Sequence, residues 1–306
     1  MSAEAATRTQ AADRPGAASG AAAMLHRRGV AAWRFTRRKP LGALGFLIVF
    51  ITVLAALFAP IITFHDPLIA DFTAIKVGQS FNHWLGTDEF GRDLYSRIVY
   101  GARVSLIVAF ASIGMGTTIG AILGIFSAFI GGRVDDFFSR LTDIMIAFPG
   151  ILLAMAFITV FGIGLWNVVW AIGISFAPPA LRVARGATLS VKNNVFVEAA
   201  HAVGASNMRI IFRHLLPNVL APIIVVASVQ LGSAILIESA LSYLGLGVPP
   251  PAPSWGRMLA GSVLVHATTA PWLVIFPGAA ITILVLGFNL FGDALRDVWD
   301  PRLRGR

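Results

Sequence analysis

Residues 143–182, DIMIAFPGILLAMAFITVFGIGLWNVVWAIGISFAPPALR, hold 38 uncharged positions between Asp143 and Arg182. An α-helix rises 1.5 Å per residue, so about 20 apolar residues cross the roughly 30 Å hydrocarbon core of a bilayer. The stretch is too long for one ordinary span. Gly162-Ile163-Gly164-Leu165-Trp166-Asn167 in its middle reads as a tight turn near an interface, which divides it into two short spans. Leaving the turn buried would give one span fewer.

Working outward, four more uncharged runs occur: Leu41 to Phe64, Val104 to Gly132, Leu215 to Ile237 and Trp272 to Gly292. The expected spans are 41–63, 103–131, 144–162, 165–182, 217–239 and 272–293, six transmembrane helices, with five as the alternative. Composition agrees. Of the 306 residues, 57% are hydrophobic and 13% charged, and the mean hydropathy of +0.78 excludes an ordinary solvated globule. The net charge of +9 would suit nucleic acid only if the basic residues ran together, and they avoid the long apolar stretches instead.

Charge placement tests the six-span count. With both termini on one side, that side carries 19 of the 24 Lys and Arg residues, and the other carries Lys76, Arg92, Arg97, Arg103 and Arg257. The positive-inside rule then puts both termini in the cytoplasm. Five spans would move Arg182 to Arg213 outside and weaken the asymmetry. Residues 1–24, rich in Ala, Gly, Ser and Thr, cannot bury a core and are expected to be a disordered tail. Residues 25–40 mix Arg with Trp33 and Phe35 and suit an interfacial helix. The first apolar run reads as an uncleaved anchor rather than a signal peptide. The membrane-spanning body is expected over 41–295, followed by a cytoplasmic tail at 296–306.

The residues exclude several chemistries. No Cys is present, the six His are scattered in sequence without metal-ligand spacing, and His65 and His83 stand 18 positions apart, so no metal site is expected. The three lysines follow Arg38, Ile75 and Val191, whereas a phosphate loop needs Gly-Lys before Ser or Thr, so the chain cannot be its own P-loop ATPase. Ionisable residues are nearly absent from the spans, which argues against a proton-coupled carrier. Asp143 and Glu238 fall near expected helix ends, where an interfacial position is the simplest reading. In Asp88 to Arg103 acids and bases alternate closely enough to neutralise one another as a structural belt. Four prolines in 249–253 make a stiff external spacer, which could receive a partner protein or cap the bundle. Gly114, Gly116, Gly120 and Gly124 favour close helix packing.

The most informative loop lies between the fourth and fifth expected spans, EAAHAVGASNMRIIFRHLLPN at 198–218. Phe196, Ala199, Ala200 and Val203 share one face of a short helix, Gly204 supplies a turn, Ser206 is an N-cap, and a second short helix runs to Pro217. An interfacial helix with no partner fits the same residues. The order Glu198-Ala199-Ala200, three residues, Gly204, then Ile210 and Leu216-Pro217 resembles the EAA loop of bacterial ABC importer permeases. LGTD at 85–88, GRD at 91–93, SR at 96–97, GARVSL at 101–106 and IESALSYLGLGV at 237–248 are similar to the C-type membrane subunit of the dipeptide, oligopeptide and nickel importer family. Asp135, Arg140, Asp143, Phe148 and Pro149 extend the likeness, which covers residues 35–303, and Ser139 stands where Met is expected.

The resemblance implies an all-α polytopic membrane protein of the type I ABC importer kind, with six transmembrane helices and a cytoplasmic coupling-helix loop. It implies a bacterial inner-membrane location, no catalytic residue and no cofactor, since ATP hydrolysis would occur in separate ABC ATPase subunits. Expected partners are those subunits, a second (B-type) permease subunit, an extracytoplasmic substrate-binding protein and the lipid bilayer, with no nucleic acid. The ATPase-coupling residues would be Glu198, Ala199, Ala200, Gly204, Ile210, Leu216 and Pro217. Sparse polar residues in the spans, Asn167, Gln230 and Glu238, are candidates for the translocation path. Dipeptides or oligopeptides are the expected cargo, nickel or another small solute the alternative. A secondary transporter is the rival of a different class.

Overall fold

The long uncharged runs form helices, because backbone N–H and C=O groups in lipid must find partners within their own segment. A computed structural model describes residues 39–299 apart from 267, and no strand occurs among them. The expected tail at 1–24, residues 25–38 of the expected interfacial helix, and residues 300–306 lie outside that range. Helix α1 (Pro40–Leu57) stops at Phe58, and a single turn, α2 (Ala59–Ile62), follows with Pro60 in its first positions. The first expected span is therefore broken: Pro60 has no N–H to continue the ladder.

Helix α3 (Leu94–Ile130) starts nine residues before the span expected at 103. Asp93 explains the early start, because its side chain accepts from the Ser96 N–H and caps the helix. With 37 residues, about 55 Å, α3 extends well beyond the bilayer core. The span expected at 144–162 falls on a bend. Two helices occupy it, α4 (Gly132–Ala147) and α5 (Gly150–Phe161), bent by 93°. The break falls at Phe148-Pro149, where Pro disfavours helical geometry for the preceding residue and Phe148 is extended.

After the turn at 162–164 come α6 (Leu165–Val191) and α7 (Val195–Ala202). Helix α8 runs unbroken over Asn207–Tyr243 through a π-helical turn at Ile211–Leu215, so the second short helix expected to end at Pro217 instead continues into the fifth span. Pro217 is tolerated because it follows the π turn, where the ladder is already shifted, and Asn218 Nδ2 donates to the His214 carbonyl at 2.6 Å. Two further helices, α9 (Trp255–His266) and α10 (Trp272–Trp299), complete the described fold. Among the described residues five helices are long and apolar enough to cross a membrane, six with the bent α4–α5 pair.

Helix α3 packs most extensively on α6, while α10 lies against α1 and α8. Association of helices in lipid depends on close fit rather than on water exclusion. Gly116, Gly120 and Gly124 provide that fit, since an added Cβ at each would meet the backbone carbonyl of Gly173, Ala177 and Leu181 in turn. Gly114, grouped with them on sequence, has open space beside it. Interior residues form one cluster around Ile113, Ile172, Ile235 and Phe288 and a second around Ile125, Ala184, Ile210 and Leu215. The charged belt at 88–103 and the 195–217 loop lie at opposite ends of α3.

Helix α9 was not foreseen. Its Trp255 is buried and donates through Nε1 to the Ile98 carbonyl at 2.9 Å, while Gly256 sits against the Ser239 backbone. Of the two readings of the 249–253 spacer, the structure favours a cap on the bundle: the proline segment delivers Ser254 and Trp255 into the interior.

Candidate functional site

The 195–217 surface is built on the second interior cluster. Val197 and Ala200 of α7 and Ile210, Ile211 and Leu215 of α8 are buried against Ala121 and Ile125 of α3 and Ala184 of α6. Alternation of these inward residues with outward ones fixes the roll of both helices. Glu198, Ala199, Gly204 and Pro217 consequently face outward, Leu216 is half-buried, and Ala200 and Ile210 act as anchors. Gly204 adopts φ of +76°, a left-handed conformation that strains any residue with a Cβ, and its amide donates to the His201 carbonyl at 2.9 Å. Ser206 precedes α8, but its side chain makes no capping hydrogen bond, contrary to expectation.

The apolar face Phe196, Ala199, Ala200 and Val203 lines an open groove of about 490 Å³, completed by Ala205, Arg209, Arg213 and His214. Val203 is 84% exposed. An apolar floor with a basic rim suits an element carrying apolar and acidic groups. Residues that hold the platform below it were missed on sequence. Arg185 donates twice to Asp135, at 2.6 and 2.7 Å, tying α6 to α4, and Lys192 Nζ donates to the Ala128 carbonyl near the end of α3. Only Lys192 carried a signal, as a cation at the C-cap of α6 that meets the carbonyls at the end of α3, whereas Arg185 pairs with a carboxylate on a separate helix.

The three polar residues singled out for a passage are not brought together. Asn167 Nδ2 donates to the carbonyls of Phe161 and Gly162, both at 3.0 Å, and so closes the turn between α5 and α6. Glu238 is wholly buried within the protein, five residues before the end of α8. Its Oε1 accepts from Ser242 and Ser254 at 2.8 and 3.0 Å, and its Oε2 from Ser105 and Ser239 at 3.4 and 3.5 Å. One carboxylate thus joins α8, α3 and the segment leading into α9. Gln230 is 8% exposed and its Oε1 has no partner among the described residues.

At the opposite end, Asp88 gathers the belt by accepting from the amides of Phe90 and Arg92, each at 2.9 Å, and from Arg92 Nε at 2.7 Å. Buried Arg97 lies 3.3 Å from the same carboxylate and donates to the Pro67 carbonyl at 3.0 Å. His65 and His83, distant in sequence, come together with Asp93. The scattered-histidine reading is corrected there: the chain between α2 and α3 folds back on the α3 cap.

Residues 116–305 match the family of binding-protein-dependent transport system inner membrane components. The chain belongs to that family. This permease is 43% identical over 273 residues to the dipeptide transport system permease protein DppC of Alkalihalophilus pseudofirmus, covering 89% of this chain and 90% of that one. It is 39% identical over 274 residues to the glutathione transport system permease protein GsiD of Escherichia coli O157:H7, with the same coverage. Its fold is similar to that of the MetNI methionine ABC transporter in an inward-facing conformation, with a TM-score of 0.54 over 68% of this chain and 98% of that one, at 22% identity. The permease is thus a subunit of an ABC importer, an inner membrane component with several spanning helices.

Proposed function

We propose that this permease carries short peptides inward, forming half of a pathway completed by a B-type partner subunit, and that the 195–217 surface couples it to separate ABC ATPase subunits. The observation that carries the coupling role is the outward-facing groove around Ala199 and Val203, set on a rigid base and aimed by Gly204. A membrane protein leaves such a small-residue surface open at an aqueous end only at a cost, and a docked helix or lobe removes that cost. ATP binding would draw paired surfaces together, and the continuous helix α8 would carry the motion to the external end. Both termini would lie in the cytoplasm with this surface, and a substrate-binding protein would deliver cargo from outside.

The peptide assignment rests on the relatives, whose names specify a dipeptide and glutathione, itself a short peptide. Gln230, with its unpartnered carbonyl, remains the candidate contact along the path, whereas Asn167 and Glu238 hold local structure. Uptake of labelled dipeptide, glutathione and radioactive nickel by cells with and without the gene tests the cargo. Loss of dipeptide or glutathione uptake is expected, with nickel unaffected. Loss of nickel uptake alone would reject the assignment.

A further inference from the structure

The chain neighbours of His65, His83 and Asp93 form an aromatic cluster of their own. Phe64 and Trp84 rings lie 5.0 Å apart, Trp84 and Tyr95 5.4 Å, and Phe64 and Tyr95 6.3 Å. These contacts bind three remote segments: the end of the first span, the external loop and the first turn of α3. His65, His83 and Asp93 then converge beside them. His83 Nδ1 is 3.0 Å and His65 Nδ1 4.0 Å from Asp93 Oδ1, and one ligand atom from each residue lies within 4.8 Å of the other two.

We propose that His65, His83 and Asp93 form a divalent transition-metal site at the external end of the permease, taking zinc or a similar imidazole-seeking ion with water in the fourth position. Bonds of about 2.0–2.1 Å in a tetrahedron place ligand atoms about 3.3 Å apart, so the observed 3.0 and 4.0 Å to Asp93, and a His65–His83 separation within 4.8 Å, require side-chain adjustments of no more than about 1.5 Å. Two neutral imidazoles and one carboxylate match the donor preference of zinc, nickel and copper rather than of magnesium or calcium. Asp93 divides its labour. Its Oδ2 accepts from the Ser96 amide and hydroxyl at 2.8 and 2.7 Å, which fixes the carboxylate while Oδ1 stays directed at the histidines. The Ser80 hydroxyl holds the His83 amide at 3.1 Å and orients that residue in turn.

Access exists on one side. The Asp93 side chain is 3% exposed, His83 16% and His65 43%, so an ion would meet His65 first and leave a position open to water. The neighbouring cations do not oppose it, because Arg92 and Arg97 are both turned to Asp88. An ion held here would clip the loop to the head of α3. The site is independent of the peptide assignment and of the coupling surface.

The test uses the full-length chain, tag removed, purified in detergent, stripped with chelator and titrated with zinc in a calorimeter. One zinc per chain is expected, with a rise in the thermal midpoint of the protein. His65→Ala should weaken binding at least tenfold and abolish the thermal shift. His65 is the deciding position because its exposed ring makes no other polar contact among the described residues, so the variant should fold. His83→Ala should behave alike. No stoichiometric zinc bound by the parent chain, or undiminished binding by the His65→Ala and His83→Ala double variant, would overturn the proposal.

Discussion

Gly204 and Glu238 are single residues whose replacement separates function from stability. A Cβ at Gly204 would meet no neighbour, so the damage from substitution comes from its φ of +76° alone. Gly204→Ala should cost about 1–2 kcal/mol locally, relieved by a change in the turn between α7 and α8. The chain should insert and remain folded while transport falls, more so with Gly204→Leu. Uptake assays normalised to membrane-inserted protein check this, and full transport by Gly204→Leu would remove the turn from the coupling device. Glu238→Ala should act in the opposite way. It strips an acceptor from four serine hydroxyls in a sealed site, and a loss of about 2–4 kcal/mol follows from unsatisfied buried polar groups. The thermal midpoint in detergent should drop clearly, and less for Glu238→Gln, which keeps an acceptor oxygen.

At the scale of elements, the glycine face of α3 is the most exacting contact. Gly120→Leu would force a branched side chain into the space held by the Ala177 carbonyl and the Leu181 amide. Neither backbone can yield without separating α3 from α6. An overpacking cost of several kcal/mol is expected, above the usual 1–3, because the obstruction is backbone rather than side chain. Gly114→Leu serves as the control, since nothing lies within 4 Å of the position. Folded yield should collapse for the first variant and hold for the second. Equal yields would show that the two helices do not depend on this approach.

The same scale shows what could be read from sequence. The five apolar runs were legible because lipid imposes length and composition on every crossing helix. The bend at Phe148-Pro149 was less so: an uncharged run reports depth in the membrane, not direction, and the amphipathic α4 carries charges at Arg133, Asp135, Asp136 and Arg140 that a hydropathy count sets aside. The start of α3 was marked by Asp93 and Ser96, three residues apart as a cap requires, but among dense charges the pair read as part of a belt. Helix α9 was hidden by the prolines before it. Phe196, Ala199, Ala200 and Val203 were legible as one face, and so was the turn at Gly204. The anchors beneath them, Val197 and Ile211, are ordinary apolar residues with no sequence signal of their own. The approach of His65 to His83 depends on tertiary folding across the chain between α2 and α3, which no local spacing reveals.

For the whole molecule, the ends of the bundle divide the work. One end gathers Asp88, Arg92, Arg97 and the buried Trp255 into a closed cap, and the other presents the groove of α7 and α8. Helices α3, α6 and α8 run between the two, with α3 and α6 locked by backbone-close packing. An importer so built should draw its driving force from ATPase subunits at the groove, and not from an ion gradient. The direct measurement is uptake of labelled dipeptide into proteoliposomes holding the complete importer, with ATP supplied on the groove side or with an imposed proton or sodium gradient and no nucleotide. Uptake should require ATP and binding protein, and should vanish with Glu198→Lys or Gly204→Leu while the complex stays assembled. Gradient-driven uptake without nucleotide, or normal ATP-driven uptake by both variants, would contradict the account.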